Sequence, residues 1–263
     1  MMGTTCFVLW TRFGEPRPIA QIQIPQEVIR PPIVPPPVSQ SKIVIDEFNH
    51  INSQITSFDG SQVSVKVWEN SMRFRISGTM YYEKSKNFRL KLWTPIGLEM
   101  DFGSNDQLFW YWSRRDVHPG LYYASYEDYN KTRLKTPFNP VFLRESLGID
   151  QIDVTDAKIT ENEKHVIVTW QKVNSMNQKV LYSMFINKSI KRMDGIVISD
   201  LNGKILASCE ITHDGLLPKK ILYDWQEEQR SLTLEFYNPM INNSLNKANW
   251  DLPRYYPRID MGK

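Results

Sequence analysis

The sequence predicts a mainly β protein: one long antiparallel meander of about ten to eleven strands, curled by its own twist, with two helices to cover one face. Three observations carry that prediction. After Gly60, apolar and polar residues alternate with a period of two in strand-length runs. Turn signals separate those runs, with neither βαβ alternation nor a solenoid-type repeat. Aromatic residues make up 12% of the 263 positions, with eight Trp, twelve Tyr and twelve Phe, a content that suits a sheet packed with large rings.

The chain opens on residues that should stay outside the core. Met1 to Trp10 has no basic start and only a short apolar run, so it does not read as a signal peptide. Between Pro16 and Val38 lie eight of the sixteen prolines. The run Pro31-Pro32-Ile33-Val34-Pro35-Pro36-Pro37 calls for extended polyproline II, which is stiff and without internal hydrogen bonds. Residues 1–38 are therefore expected to be a leader or tether, disordered or holding a domain of residues 39–263 away from an anchor. No stretch is apolar and long enough to span a membrane as a helix.

Ser39-Gln40-Ser41 supplies helix-capping chemistry, and Ile43, Ile45, Phe48, Ile51, Ile55 and Phe58 recur at helical spacing. That predicts one amphipathic helix of about five turns ending at Asp59-Gly60. Strands follow, around Val63-Val65-Val67, Met72-Phe74-Ile76, Phe88-Leu90-Leu92, Leu98-Met100-Phe102 and the cluster Phe109-Trp110-Tyr111-Trp112. The cluster is bulky on both faces and fits a covered central strand or the wall of an apolar pocket. A second series runs Val166 to Trp170, Val180 to Ile186, Ile196 to Ile198, Ile205 to Ile211, Ile221 to Trp225 and Leu232 to Phe236. Between the two series, Pro137-Phe138-Asn139-Pro140 leads into a short helix with Phe142, Leu143 and Leu147 on its apolar side and Gly148 as its stop. The two helices either seal the apolar face into an ordinary core or act as lids on an incompletely filled cavity.

Charge and motifs narrow the chemistry. With 32 basic against 29 acidic residues, the net charge of +3 gives no support for nucleic-acid binding by bulk charge. Cys6 and Cys209 cannot build a disulfide framework, and both are expected to be unpaired. The motifs G-x-S-x-G, H-E-x-x-H, G-x-x-x-x-G-K-[ST] and G-x-G-x-x-G do not occur. His50, His118, His165 and His213 are isolated in sequence and read as surface or packed residues rather than metal ligands. The pairs Asp46-Glu47 and Glu127-Asp128 point their carboxylates apart, and Glu99 and Asp101 read as solvated residues on a polar strand face. No enzyme, metal or cofactor is expected.

The order of parts then resembles a known family. A first helix ends in Ile55-Thr56-Ser57-Phe58 and is followed by a short strand. Next come Ser77-Gly78-Thr79-Met80-Tyr81-Tyr82-Glu83-Lys84-Ser85-Lys86-Asn87-Phe88-Arg89-Leu90 and the hairpin Ser104-Asn105-Asp106-Gln107-Leu108-Phe109-Trp110-Tyr111. With the closing Ala248-Asn249-Trp250-Asp251-Leu252-Pro253, this resembles the LolA/LolB-type lipoprotein carriers and receptors of the bacterial envelope, over about residues 40–253. The Tyr-rich insert and Pro-rich leader are most similar to planctomycete-type variants. Ser85 and Lys86 replace the Arg-Pro of the family's Lys-Arg-Pro turn, so no gating residue is carried over.

The resemblance implies an unclosed β-barrel or strongly curved sheet with helical lids over an apolar cavity for lipoprotein acyl chains or another lipid. It also implies a location in the bacterial envelope, either periplasmic or anchored at the outer membrane. An envelope protein is a possible partner and a monomer is expected. If that cavity exists, Val65, Val67, Phe74, Ile76, Leu90, Leu92 and Met100 form its floor, with Phe142, Leu143 and Leu147 in its lid. The alternative is a structural or interaction domain of the same fold with a filled core.

Overall fold

The computed structural model describes residues 38–263, apart from 70, 71, 85, 119, 133–139, 175 and 255. The expected leader up to Pro37, Cys6, the Pro137-Phe138-Asn139 turn and Ser85 lie outside the described residues. The first element is helix α1 (Val38–Ser53). Val44, Ile45 and Phe48 are buried on one side of it and Asn52 continues that side one turn on, while Ile43, counted above among the apolar stripe, is 55% exposed. The helix stops short of Asp59-Gly60 because its end is capped early. Lys84 Nζ donates to the carbonyls of Asn52 and Ser53 at 2.9 and 3.0 Å, both groups that a helix end leaves without partners. Phe58 therefore belongs to the first strand, where it lies opposite Tyr82 and Ile241.

The strands form two meanders. The first is β1 (Ser57–Glu69), β2 (Met72–Glu83), β3 (Asn87–Thr94), β4 (Gly97–Ser104), β5 (Leu108–Ser113) and β6 (Leu121–Ser125). The second is β7 (Lys158–Glu161), β8 (His165–Val173), β9 (Lys179–Asn187), β10 (Met193–Ser199), β11 (Ile205–Asp214), β12 (Leu217–Trp225) and β13 (Arg230–Phe236). β14 (Met240–Ile241) and β15 (Arg258–Asp260) follow. Every run expected from alternation is a strand. The sheet has fifteen strands rather than ten or eleven, because β6, β7, β14 and β15 are short pieces with too little sequence to show a period.

The two meanders meet where β1 pairs antiparallel with β13, setting Val63, Val65 and Val67 opposite Phe236, Leu234 and Leu232. Hydrogen-bonded order runs β15-β6-β5-β4-β3-β2-β1-β13-β12-β11-β10-β9-β8-β7, so the sheet is open between β15 and β7. The connection between the meanders carries helix α2 (Pro140–Glu145) and crosses the inner face. Within it, Phe142 packs edge-on to Tyr223 of β12, Asp150 takes the Tyr82 hydroxyl of β2, and the Asp153 carbonyl accepts from Trp170 of β8. Strands so far apart in the order reach one short stretch only if the sheet curls around it. Gly148, at φ +66°, turns the chain after α2 as its position suggested.

The outer face of β3–β5 corrects one expectation. Glu99 and Asp101 are buried, not solvated, at 4% and 2% exposure. Arg89 sets Nε and Nη2 each 2.6 Å from the two carboxylate oxygens of Asp101, and Arg114 and Arg115 reach Glu99 at 3.4 and 3.2 Å. The residues after β14 explain the burial by running across this face. The Arg89 Nη1 donates to the carbonyls of Asn249 and Asp251, Asn105 Nδ2 donates to that of Trp250, and Tyr256 stacks on Trp112. The cluster Phe109-Trp110-Tyr111-Trp112 is thus covered on both sides, with Trp110 and Trp112 under this strap and Phe109 packed with Ala124 on the opposite face. Gly103 makes room for it, since a Cβ there would sit 2.2 Å from the Trp110 ring.

Candidate functional site

The inner face is one apolar cluster built from both meanders and both helices. Alternation points Val65 and Val67 of β1, Ile76 of β2, and Leu90 and Leu92 of β3 into it, all at or below 8% exposure. Phe74 and Met100 are partly buried and pack against the same cluster. From above it is covered by Val44, Ile45 and Phe48 of α1 and by Phe142, Leu143 and Leu147 in and after α2. All ten residues singled out from the sequence as floor and lid therefore share one apolar body. Leu90, Leu143 and Leu147 are fully sealed.

What the sequence reading missed is the polar frame that holds the cover. Three tyrosines from three strands reach into the α2 segment. Tyr82 of β2 donates to Asp150, Tyr182 of β9 donates to Glu145 Oε2 at 2.6 Å, and Tyr223 of β12 pairs with Ser146. Burial raises all three phenols above their ordinary range, so each stays protonated. Asn52, at the end of α1, donates to the carbonyls of Gly148 and Asp150 at 3.2 and 2.8 Å. One turn earlier, Asn49 exchanges two hydrogen bonds with the Ile152 backbone. Arg192, just before β10, donates through Nη1 to Asn52 Oδ1 at 2.6 Å. The strand phase of the tyrosines (82 with 80 and 76, 182 with 184 and 186, 223 with 221) and the helical phase of Asn52 were the available signals. Nothing in the sequence marks Arg192.

The site holds hydrogen-bond donors and apolar surface rather than an assembled nucleophile and base. Cys209 is unbonded and buried, and burial pushes its thiol up to about 12, away from the reactive thiolate. His165 Nε2 lies 2.9 Å from Asp194 and His213 Nε2 lies 2.7 Å from the Met193 carbonyl, while His50 is exposed. Among the described residues no three His, Cys, Asp or Glu side chains gather as metal ligands. No described helix is long and apolar enough to cross a membrane.

An open, mostly antiparallel sheet, curled round its own crossover and covered by α1 and α2, is the architecture of an unclosed half-barrel. Comparison with solved structures identifies it as the LolA/LolB-like fold. A DUF1329 family protein from Desulfovibrio piger superposes with a TM-score of 0.58 at 9% identity, covering 82% of this chain and 97% of that one. An outer membrane lipoprotein-sorting protein domain from Vibrio parahaemolyticus gives 0.58 at 8% identity, over 81% and 96%. A LolA superfamily protein from Nitrosomonas europaea gives 0.52 at 10% identity, over 81% and 98%. At such identities the likeness is one of fold. No family model matches the sequence, and no curated relative matches it.

Proposed function

We propose that the chain binds the acyl chains of a lipid or lipoprotein between its inner sheet face and the cover formed by α1 and the α2 segment, without catalysing a reaction. Its place would be the bacterial envelope, in lipoprotein localisation or lipid handling, as a monomer that meets an envelope protein partner. The observation that carries this reading is the make-up of the inner face: floor and cover are apolar, and the cover is fastened by a few polar ties. Val65, Val67, Phe74, Ile76, Leu90, Leu92 and Met100 are its floor, and Phe142, Leu143 and Leu147 its lid. Burial alone suffices for such binding, since each methylene removed from water contributes about 0.8 kcal/mol. The fold shared with a lipoprotein-sorting domain supports the same reading.

A second reading, a filled-core interaction domain, draws on the complete burial of Leu90 and Leu143. Titrating the purified protein with a fluorescent fatty acid and with a diacylated lipopeptide at micromolar concentration separates the two. The carrier reading expects saturable binding of at least one probe, weakened in Phe142→Ala, with circular dichroism showing the fold retained. If the folded wild-type protein binds neither probe, the filled-core domain is the better account.

A further inference from the structure

Among the described residues two arginines are almost fully buried, and they differ in what faces the Nε–Nη2 edge. Arg89 turns the Nε–Nη2 edge of its guanidinium onto both oxygens of Asp101 and uses Nη1 for backbone carbonyls. Arg192, at 0% exposure, uses Nη1 in the same way, on Asn52 Oδ1, but its Nε and Nη2 are buried with no hydrogen-bond partner. That edge is the two-pronged fork with which arginine grips a carboxylate or phosphate through parallel hydrogen bonds.

Among the described residues no carboxylate fills it. Asp194 already accepts from His165, Asn187 and Lys164. Asp150 is engaged by Tyr82 and lies 3.7 Å from Arg144, and Glu47 pairs with Lys191. The negative end of α1 compensates in part, yet its last two carbonyls are taken by Lys84. Burial pulls the Arg192 guanidinium down to about 10, so it stays charged at neutral pH. The next residue, Met193, lies against Gly148 and belongs to the apolar cluster that the acyl-binding reading assigns to the lipid. An ionised, unpaired fork at the margin of an apolar body is costly unless an anion arrives to meet it.

We propose that Arg192 receives the negatively charged head of the bound lipid, making the preferred ligand an anionic acyl lipid, with a carboxylate or phosphate head, rather than a neutral one. This inference rests on the acyl-binding reading above. The test compares, on the full chain, hexadecanoic acid with its methyl ester, and lysophosphatidic acid with the matching monoacylglycerol. The wild type is expected to bind each acid at least tenfold more tightly than its neutral partner. Arg192→Met should abolish the difference between each acid and its neutral partner, whatever it does to the affinity they share, and Arg192→Lys should keep part of it. Whichever acid shows the larger preference tells carboxylate from phosphate. Equal binding of acid and ester by the wild type, or an undiminished preference in Arg192→Met, overturns the assignment while leaving acyl binding intact. Binding of neither acid nor ester overturns acyl binding and this assignment together. If Arg192→Met does not fold, the wild-type and Arg192→Lys comparisons decide.

Discussion

The two faces of the sheet are each covered by a segment without long secondary structure, and the two covers are fastened differently. On the outer face, Arg89 of β3, ion-paired to Asp101 of β4 with both partners buried, 6% and 3% exposed, donates to two carbonyls of the strap after β14, and Tyr256 of the strap stacks on Trp112. On the inner face, the α2 segment rests on apolar side chains and is tied at its edges by phenols, amides and single cations. A buried ion pair is a poor source of net stability, but once present it cannot be half undone. Isolated hydrogen bonds each contribute about 0.5–1.5 kcal/mol, or about 1.5–3 kcal/mol to a charged group, and can open one at a time. The outer strap is accordingly tied to an arginine that its own buried ion pair holds in place, whereas the inner cover rests on ties that are separate from one another.

The sharpest way to break this contrast is to cut the outer clasp. Arg89→Ala leaves Asp101 buried without its partner and should cost about 3–5 kcal/mol of unfolding free energy, read from urea titration. Burial already pushes the Asp101 carboxyl above its usual range although Arg89 pulls it back, which is the mark of a carboxyl whose desolvation outweighs the pull of its partner. Arg89→Met with Asp101→Leu should then recover most of the loss. A single variant as stable as the wild type would show that the strap is not a clasp.

A smaller effect is expected on the inner side. Tyr82→Phe removes the hydroxyl that Asp150 accepts, a bond to a charged group contributing about 1.5–3 kcal/mol. Because the ties act locally, amide hydrogen exchange should speed up across residues 147–154 and stay unchanged across 247–260. Exchange that rises equally in both segments would erase the distinction between the covers.

The contrast also explains which parts were legible in the sequence. Strands on the inner face were readable because one side of each is buried and the other wet, as with Val63, Val65 and Val67 against Gln62 and Lys66. The same rule misplaced Glu99 and Asp101. Their polar phase is sound, but Glu99 is covered by Arg114 and Arg115 after β5, and the strap that runs over the Arg89–Asp101 pair comes from residues 247–256, about 150 positions later, so local periodicity carries no trace of either. The end of α1 failed for a similar reason, since the lysine that caps it lies in the β2–β3 turn. The apolar floor and lid residues follow from phase alone. The polar frame depends on which strand the crossover meets, a property of the curl rather than of any one segment.

The smallest expected effect sharpens the comparison by pH. Asp194, in β10 two residues after Arg192, is a partly exposed tie. Burial pushes its carboxyl up, but hydrogen bonds from His165, Asn187 and Lys164 outweigh that and hold it below the usual carboxylate range. A carboxyl whose pKa is lower in the folded than in the unfolded state stabilises the fold above the unfolded value of about 3.9. That stabilisation is lost as pH falls through the folded value. With solvent screening the contribution should be below about 1 kcal/mol. Asp194→Asn should therefore be less stable than wild type at pH 6 to 7, by a difference that shrinks steadily below about pH 4. The strand pair β9–β10 should accordingly loosen in acid before the outer clasp does, which exchange measured at pH 3 would record. A difference that grows on acidification would mean that the carboxyl is held above its usual range, and that the inner ties do not work as partly exposed ion pairs.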